Sequence, residues 1–149
     1  MKIIAQNKKA SHDYFILDRY EAGIKLKGTE IKSIRQGKVS INDAYVNIKN
    51  NTVQIINMNI SKYDKGNIFN HDETRTRELL LHKKEILKMI VKLKTDGITI
   101  IPLKVYLVQG LCKIEIGLAK GKKNYDKRED LKEKDAKMRM DKAFKNIRF

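Results

Sequence analysis

The imidazole and thiol groups that could bind a metal or act as nucleophiles are few: His12, His71, His82 and a single cysteine, Cys112. The histidines lack metal-ligand spacing and no second cysteine joins them. No nucleophile–base pair is recognisable, and no glycine-rich loop of the phosphate-cradling kind is present. Catalysis, a metal and a cofactor are therefore not implied, and no residue is assigned a catalytic role. Cys112 lies in an apolar stretch with nothing to pair with, so it reads as a small buried hydrophobe.

What the chain offers in quantity is positive charge. Its 149 residues hold 33 Lys/Arg against 18 Asp/Glu, a formal net charge of +15. Neutralising phosphates releases condensed counterions, so a polyanion is the natural partner and nucleic acid the first candidate. An anionic membrane is the rival. No apolar run approaches the roughly 20 residues of a span, and the N-terminus lacks a signal-peptide core. The expected compartment is the cytoplasm, and charge on all faces favours a monomer.

Stepping along the chain, Met1 to Ala10 is polar, with the basic pair Lys8-Lys9, and reads as a mobile arm or the lead into a first strand. Tyr14 to Lys27 argues a long strand that Gly23 could bend. In Gly28 to Gly37, Thr29 can cap a short helix, Glu30 suits its positive end, and Gly37 can close it. Lys32, Arg35 and Lys38 then face outward. Val39–Lys49 and Thr52–Ile60 are strand candidates around Asn50-Asn51, residues that tolerate the positive φ of a tight turn.

Ser61 to Thr76 has little periodicity and reads as a long loop, followed by a short apolar run, Arg77–Leu81. Between His82 and Thr95, Ile86, Leu87, Ile90 and Leu93 make an amphipathic helix that Gly97 ends. Ile98–Val108 and Leu111–Ala119 form a hairpin about Gln109-Gly110, with Pro102 expected at an edge or bulge. Cys112, Ile114, Ile116 and Leu118 alternate with Lys113, Glu115 and Gly117, the period of one buried and one wet face. That gives about six strands and two or three helices, which a small antiparallel barrel would bury economically.

Hydrophobic density falls beyond Ala119, which divides the chain into a body, residues 1–119, and a basic tail, residues 120–149. The stretch from Ala119 to Phe149 carries 12 Lys/Arg and 6 Asp/Glu. Asp130–Lys134, Glu133–Lys137, Asp135–Arg139 and Asp141–Lys145 are helix-supporting pairs, each contributing only tenths of a kcal/mol. Disorder when free and helix when docked is the expectation.

Four stretches in order carry a resemblance. Asn7-Lys8-Lys9-Ala10-Ser11-His12-Asp13-Tyr14-Phe15-Ile16 leads through Tyr20-Glu21-Ala22-Gly23-Ile24 to Gly28-Thr29-Glu30-Ile31-Lys32-Ser33-Ile34-Arg35-Gln36-Gly37-Lys38. Asn70-His71-Asp72-Glu73-Thr74-Arg75-Thr76-Arg77-Glu78-Leu79-Leu80-Leu81-His82-Lys83 follows. The last is Leu118-Ala119-Lys120-Gly121-Lys122-Lys123-Asn124-Tyr125-Asp126-Lys127-Arg128. From about Lys2 to Arg128 the chain resembles the bacterial SsrA-binding protein family, small protein B (SmpB).

The resemblance implies an oligonucleotide-binding-like β-barrel that binds transfer-messenger RNA (tmRNA) and brings it to stalled ribosomes for trans-translation, completing the shape of a tRNA. It implies a C-terminal tail in the decoding centre, against small-subunit rRNA, and in the empty mRNA channel, with no bond broken by the protein. The family's tmRNA-contact positions match Glu21, Leu80, His82 and Lys113. Its tail motif matches Gly121, Lys122, Lys123, Tyr125, Asp126, Lys127 and Arg128, with Lys120 adding charge. Glu73 stands where the family often has proline, and Ile34 where it commonly has leucine.

Each position also has a plainer reading. Lys113 is otherwise a solvated strand lysine, Glu21 a barrel-rim ion-pair partner, and Leu80 core. His82 could stack on a base or cap the following helix. Arg75 and Arg77 clamp phosphates or are merely solvated, and Lys8, Lys9, Lys32 and Arg35 extend the candidate RNA surface. Tyr125 offers a stacking face. The alternative function is that of a ribosomal or general single-strand-binding protein.

Overall fold

A computed structural model describes residues 1–64 and 70–122. In chain order the elements are β1 (Lys2–Gln6), α1 (Ala10–Asp13), β2 (Tyr14–Ile24), α2 (Gly28–Arg35), β3 (Val39–Ser40), β4 (Tyr45–Lys49), β5 (Thr52–Ile56), β6 (Asn59–Ile60), β7 (Arg77–Leu80), α3 (Lys83–Leu93), β8 (Ile98–Val108) and β9 (Leu111–Gly121).

The strands run β1-β8-β4-β5-β7-β2-β9, all neighbouring pairs antiparallel, and β9 pairs back onto β8. Six strands thus close on themselves and β1 is added outside, on the far half of β8. The expected small antiparallel barrel is this ring. Two strand candidates are each broken in the structure: Val39–Lys49 yields β3 and β4, and Thr52–Ile60 yields β5 and β6. The short outer pieces β3 and β6 pair with one another as a separate ribbon. Asn57, at φ 65, lies in the break between β5 and β6.

The N-terminal segment is a strand in its own right, not an arm. Lys2 to Gln6 pairs with Leu107 to Lys104 of β8. Elsewhere the turn chemistry acts as the residues require: Asn50 and Asn51 take φ 52 and 62, and Gln109 and Gly110 take φ 51 and 81. Pro102 sits at a bulge, where the β8–β9 register shifts before Lys104. α2 begins one residue before the expected cap, with Lys27 as its N-cap residue. Thr29 instead bonds the ring of His71 at 2.8 Å.

Inside the ring the alternating residues make one core, in which Ala22, Ile34, Val53, Ile55, Leu79, Met89, Ile114, Ile116 and Leu118 are almost wholly shielded. Cys112 belongs to it, and burial pushes its thiol up to about 11. A second, smaller cluster lies on the outer face under α1, where Ala10, Ile101, Leu103 and Ala119 pack with Tyr14 and Ile16. Gly117 makes room for it, since a Cβ there would stand 2.9 Å from a Leu103 methyl. The expected tail helix lies outside the described residues.

Candidate nucleic-acid interface

Antiparallel partners share a face, so register alone shows which side chains meet. On the outer face Ile3 is opposite Tyr106, Tyr106 opposite Lys113, Lys113 opposite Gly23, and Gly23 opposite Leu80. This is one continuous row across β1, β8, β9, β2 and β7. A second row beside it runs Gln6, Lys104, Glu115, Glu21. Three of the family-matched positions, Glu21, Leu80 and Lys113, come from distant parts of the chain onto this one patch.

Leu80 is 45% exposed, so the reading of it as core is overturned. The missing side chain at Gly23 leaves space beside it: a Cβ at Gly23 would be 3.5 Å from that of Leu80. Lys113 is half-buried and Glu21 exposed. Glu115 accepts an ion-pairing bond from Arg19 at 3.2 Å. Glu21 accepts instead from the hydroxyl of Tyr106. Burial, then that hydrogen bond, pushes the Tyr106 phenol well above the usual range, so it keeps its proton.

His82, two residues beyond Leu80, is the exposed N-cap residue of α3. Its backbone N–H donates to Glu85 Oε1 at 3.2 Å, one half of a capping box at the start of α3.

The other predicted residues form two further groups. Lys8 and Lys9 are exposed just ahead of α1, and Lys122 donates to the Ser11 carbonyl at 2.8 Å and stands 5.1 Å from the Phe15 ring centre. Lys120 and Gly121 lie within β9, facing Phe15 and Tyr14. Lys120 lies seven residue steps along the strand from Lys113, about 23 Å, so the α1 group and the patch occupy opposite ends of β9. Lys32 and Arg35 are exposed on α2, with Lys32 Nζ 5.4 Å from the Tyr63 ring centre. Lys123, Tyr125, Asp126, Lys127 and Arg128 lie outside the described residues.

Arg77 is not a phosphate clamp. It is fully buried, and its guanidinium donates to Glu30 Oε2 at 2.6 Å, to the Met58 carbonyl at 2.6 Å and to the carbonyls of Asp72 and Glu73. Arg75, partly exposed, grips both oxygens of the same Glu30 at 3.0 and 2.6 Å. Together they tie the 61–76 loop to the first turn of α2. Burial alone would raise the Glu30 carboxyl, but the bonds from Arg75, the Lys27 N–H and Arg77 outweigh it and hold the group below its ordinary value.

Comparison with known proteins decides the family. The SmpB protein family profile matches residues 4–146. The chain belongs to the SmpB family. SsrA-binding proteins of Oceanobacillus iheyensis, Bacillus cytotoxicus and Enterococcus faecalis are 58%, 57% and 56% identical to it. The alignments cover 97%, 97% and 99% of this chain and 94%, 94% and 96% of the relatives. A solved SmpB chain, from "tmRNA-SmpB: a journey to the center of the bacterial ribosome", superposes with a TM-score of 0.67 at 44% identity, covering 78% of this chain and 82% of that one.

Within this SmpB-family patch, sequence reasoning missed Tyr106, Ile3, Arg19 and Glu115. The signal for Tyr106 was present. Lys104 and Tyr106 alternate with Val105, which is fully shielded in the core, so period 2 puts Tyr106 on the face of Lys104. That it reaches Glu21 depends on β9 lying between β8 and β2, which only the closed barrel supplies.

Proposed function

We propose that this protein is an RNA-binding adaptor that binds tmRNA and delivers it to stalled ribosomes for trans-translation. The observation that carries the reading is the row of Tyr106, Lys113, Gly23 and Leu80, with Glu21 beside it. It is a patch of mixed chemistry on a rigid sheet, with Leu80 and Glu21 exposed and Lys113 half-buried around the buried Tyr106, and therefore suited to reading RNA shape and edges more than to holding phosphate alone. The names of the relatives, and the tmRNA and ribosome of the solved neighbour, support the same partners. The body, residues 1–119, grips the tRNA-like domain, with Lys113 and His82 contacting RNA directly. The tail beyond β9 reaches the decoding centre and mRNA channel. Gripping two RNAs at once raises the effective concentration of each for the other. The protein breaks no bond itself and works in the cytoplasm; no helix among the described residues is long and apolar enough to cross a membrane.

The test is a competition at matched salt. Labelled tmRNA tRNA-like domain bound to the protein is challenged with unlabelled domain, ordinary tRNA and an unrelated hairpin. A preference for the tmRNA domain by about a thousandfold is expected of specific over non-specific binding. Equal competition would mean that the charge binds any RNA.

A further inference from the structure

Tyr106 and Glu21 sit on strands either side of β9, so their bond crosses the outer face of that strand. Tyr106 is opposite Lys113, and Glu21 opposite Glu115, so the phenol spans diagonally between these two side chains. This explains how a residue on the outer face is only 5% exposed, while the carboxylate it holds is exposed. A glutamate on a flexible side chain would otherwise sample several rotamers and, beside Lys113, swing toward the ammonium. The neighbouring Glu115 has its own partner in Arg19.

We infer that Tyr106 is a positioning residue for RNA recognition: its hydroxyl fixes one oxygen of Glu21, leaving the other aimed outward as an acceptor for a base amine or ribose hydroxyl. A carboxylate gains nothing from the phosphate backbone and repels it. Its contribution to RNA binding must therefore come from a directed hydrogen bond to a base or sugar donor, and such a bond depends on a fixed rotamer. The same tether keeps Glu21 from neutralising Lys113, which remains available to a phosphate. The arrangement thus separates an acceptor and a cation that stand within one patch.

The inference rests on the tmRNA-binding reading. The experiment measures affinity for the tRNA-like domain of tmRNA, at several salt concentrations, for the full chain and for Tyr106→Phe, Glu21→Gln and the double variant. Tyr106→Phe, which removes only the hydroxyl, is expected to weaken binding about tenfold, the size of one hydrogen bond to a charged group. The salt slope should not change, because no phosphate contact is removed. In the Glu21→Gln background the same change should cost less than about twofold, since the group it positions is already altered.

An unchanged affinity for Tyr106→Phe overturns the proposal. So does an equal loss in both backgrounds, which would make the hydroxyl a support for the sheet alone. Melting temperatures of the four proteins, and their affinity for an unrelated hairpin, isolate a folding defect: a loss shared by both RNAs would also overturn it. Failure of the broader reading looks different, since the unaltered chain would then show no preference for the tmRNA domain.

Discussion

Taking Glu30 and Arg77 out of water costs several kcal/mol for each ion, which only their mutual bonds offset. Both are fully shielded, and Arg77 spends its donors on Glu30 and on three carbonyls of the chain around it. Removing one partner leaves the other buried and unmatched. Glu30→Gln should therefore lower stability by about 3 kcal/mol, read from chemical denaturation at neutral pH. The same pair sets an acid limit. Glu30 is held below its ordinary value of 4.5, so its share of stability is complete above that pH and is lost as the pH falls through the lower, folded value. The unaltered chain should lose stability more steeply than Glu30→Gln as the pH falls below 4.5, and parallel pH curves would contradict this account.

At the scale of elements, the turns and faces follow from residue types. Asn50-Asn51 and Gln109-Gly110 close hairpins where positive φ is needed, and the alternation from Cys112 to Leu118 marks the inner face of β9. β1 escaped this reading because Lys2 to Gln6 is short and only half-shielded, so its pairing comes from the free edge of β8 and not from its own pattern. Arg77 escaped it for another reason. A guanidinium looks the same in sequence whether it faces RNA or a glutamate 47 residues away. Glu21, Leu80, His82 and Lys113 were legible only through family resemblance, because nothing local distinguishes them from solvated residues. Gly117 shows what the packing of elements demands: a Cβ there would meet Leu103 at 2.9 Å, Ile16 at 3.2 Å and the Asp18 carbonyl at 3.3 Å. Gly117→Ala should cost about 1–3 kcal/mol and loosen the cluster beneath α1, as a drop in melting temperature would report.

Across the whole molecule, charge is divided between a body and a tail, to which the proposed function gives separate tasks. Residues 123–149 hold 10 Lys/Arg and 6 Asp/Glu, so a chain ending at Lys122 keeps +11 of its +15. Such a chain retains all of β9 and the outer patch. It should bind the tRNA-like domain with less than about a tenfold loss, yet fail to support tagging on stalled ribosomes in a reconstituted translation assay. A hundredfold loss of RNA affinity would refute this division. The row from Ile3 to Leu80 carries one more consequence, for biosynthesis. Its β1–β8 end and its β2–β7 end are joined across the row only through β9, the last strand among the described residues, and the β2–β9 pairing spans a long stretch of chain. Such topologies fold slowly, because distant segments must meet before any contact rewards them. A nascent chain released before β9 would carry Glu21 and Leu80 on paired strands but would lack Lys113 and the strand that brings Tyr106 beside them. The row is therefore completed late in synthesis, and copies that end before β9 should compete poorly with finished ones for RNA.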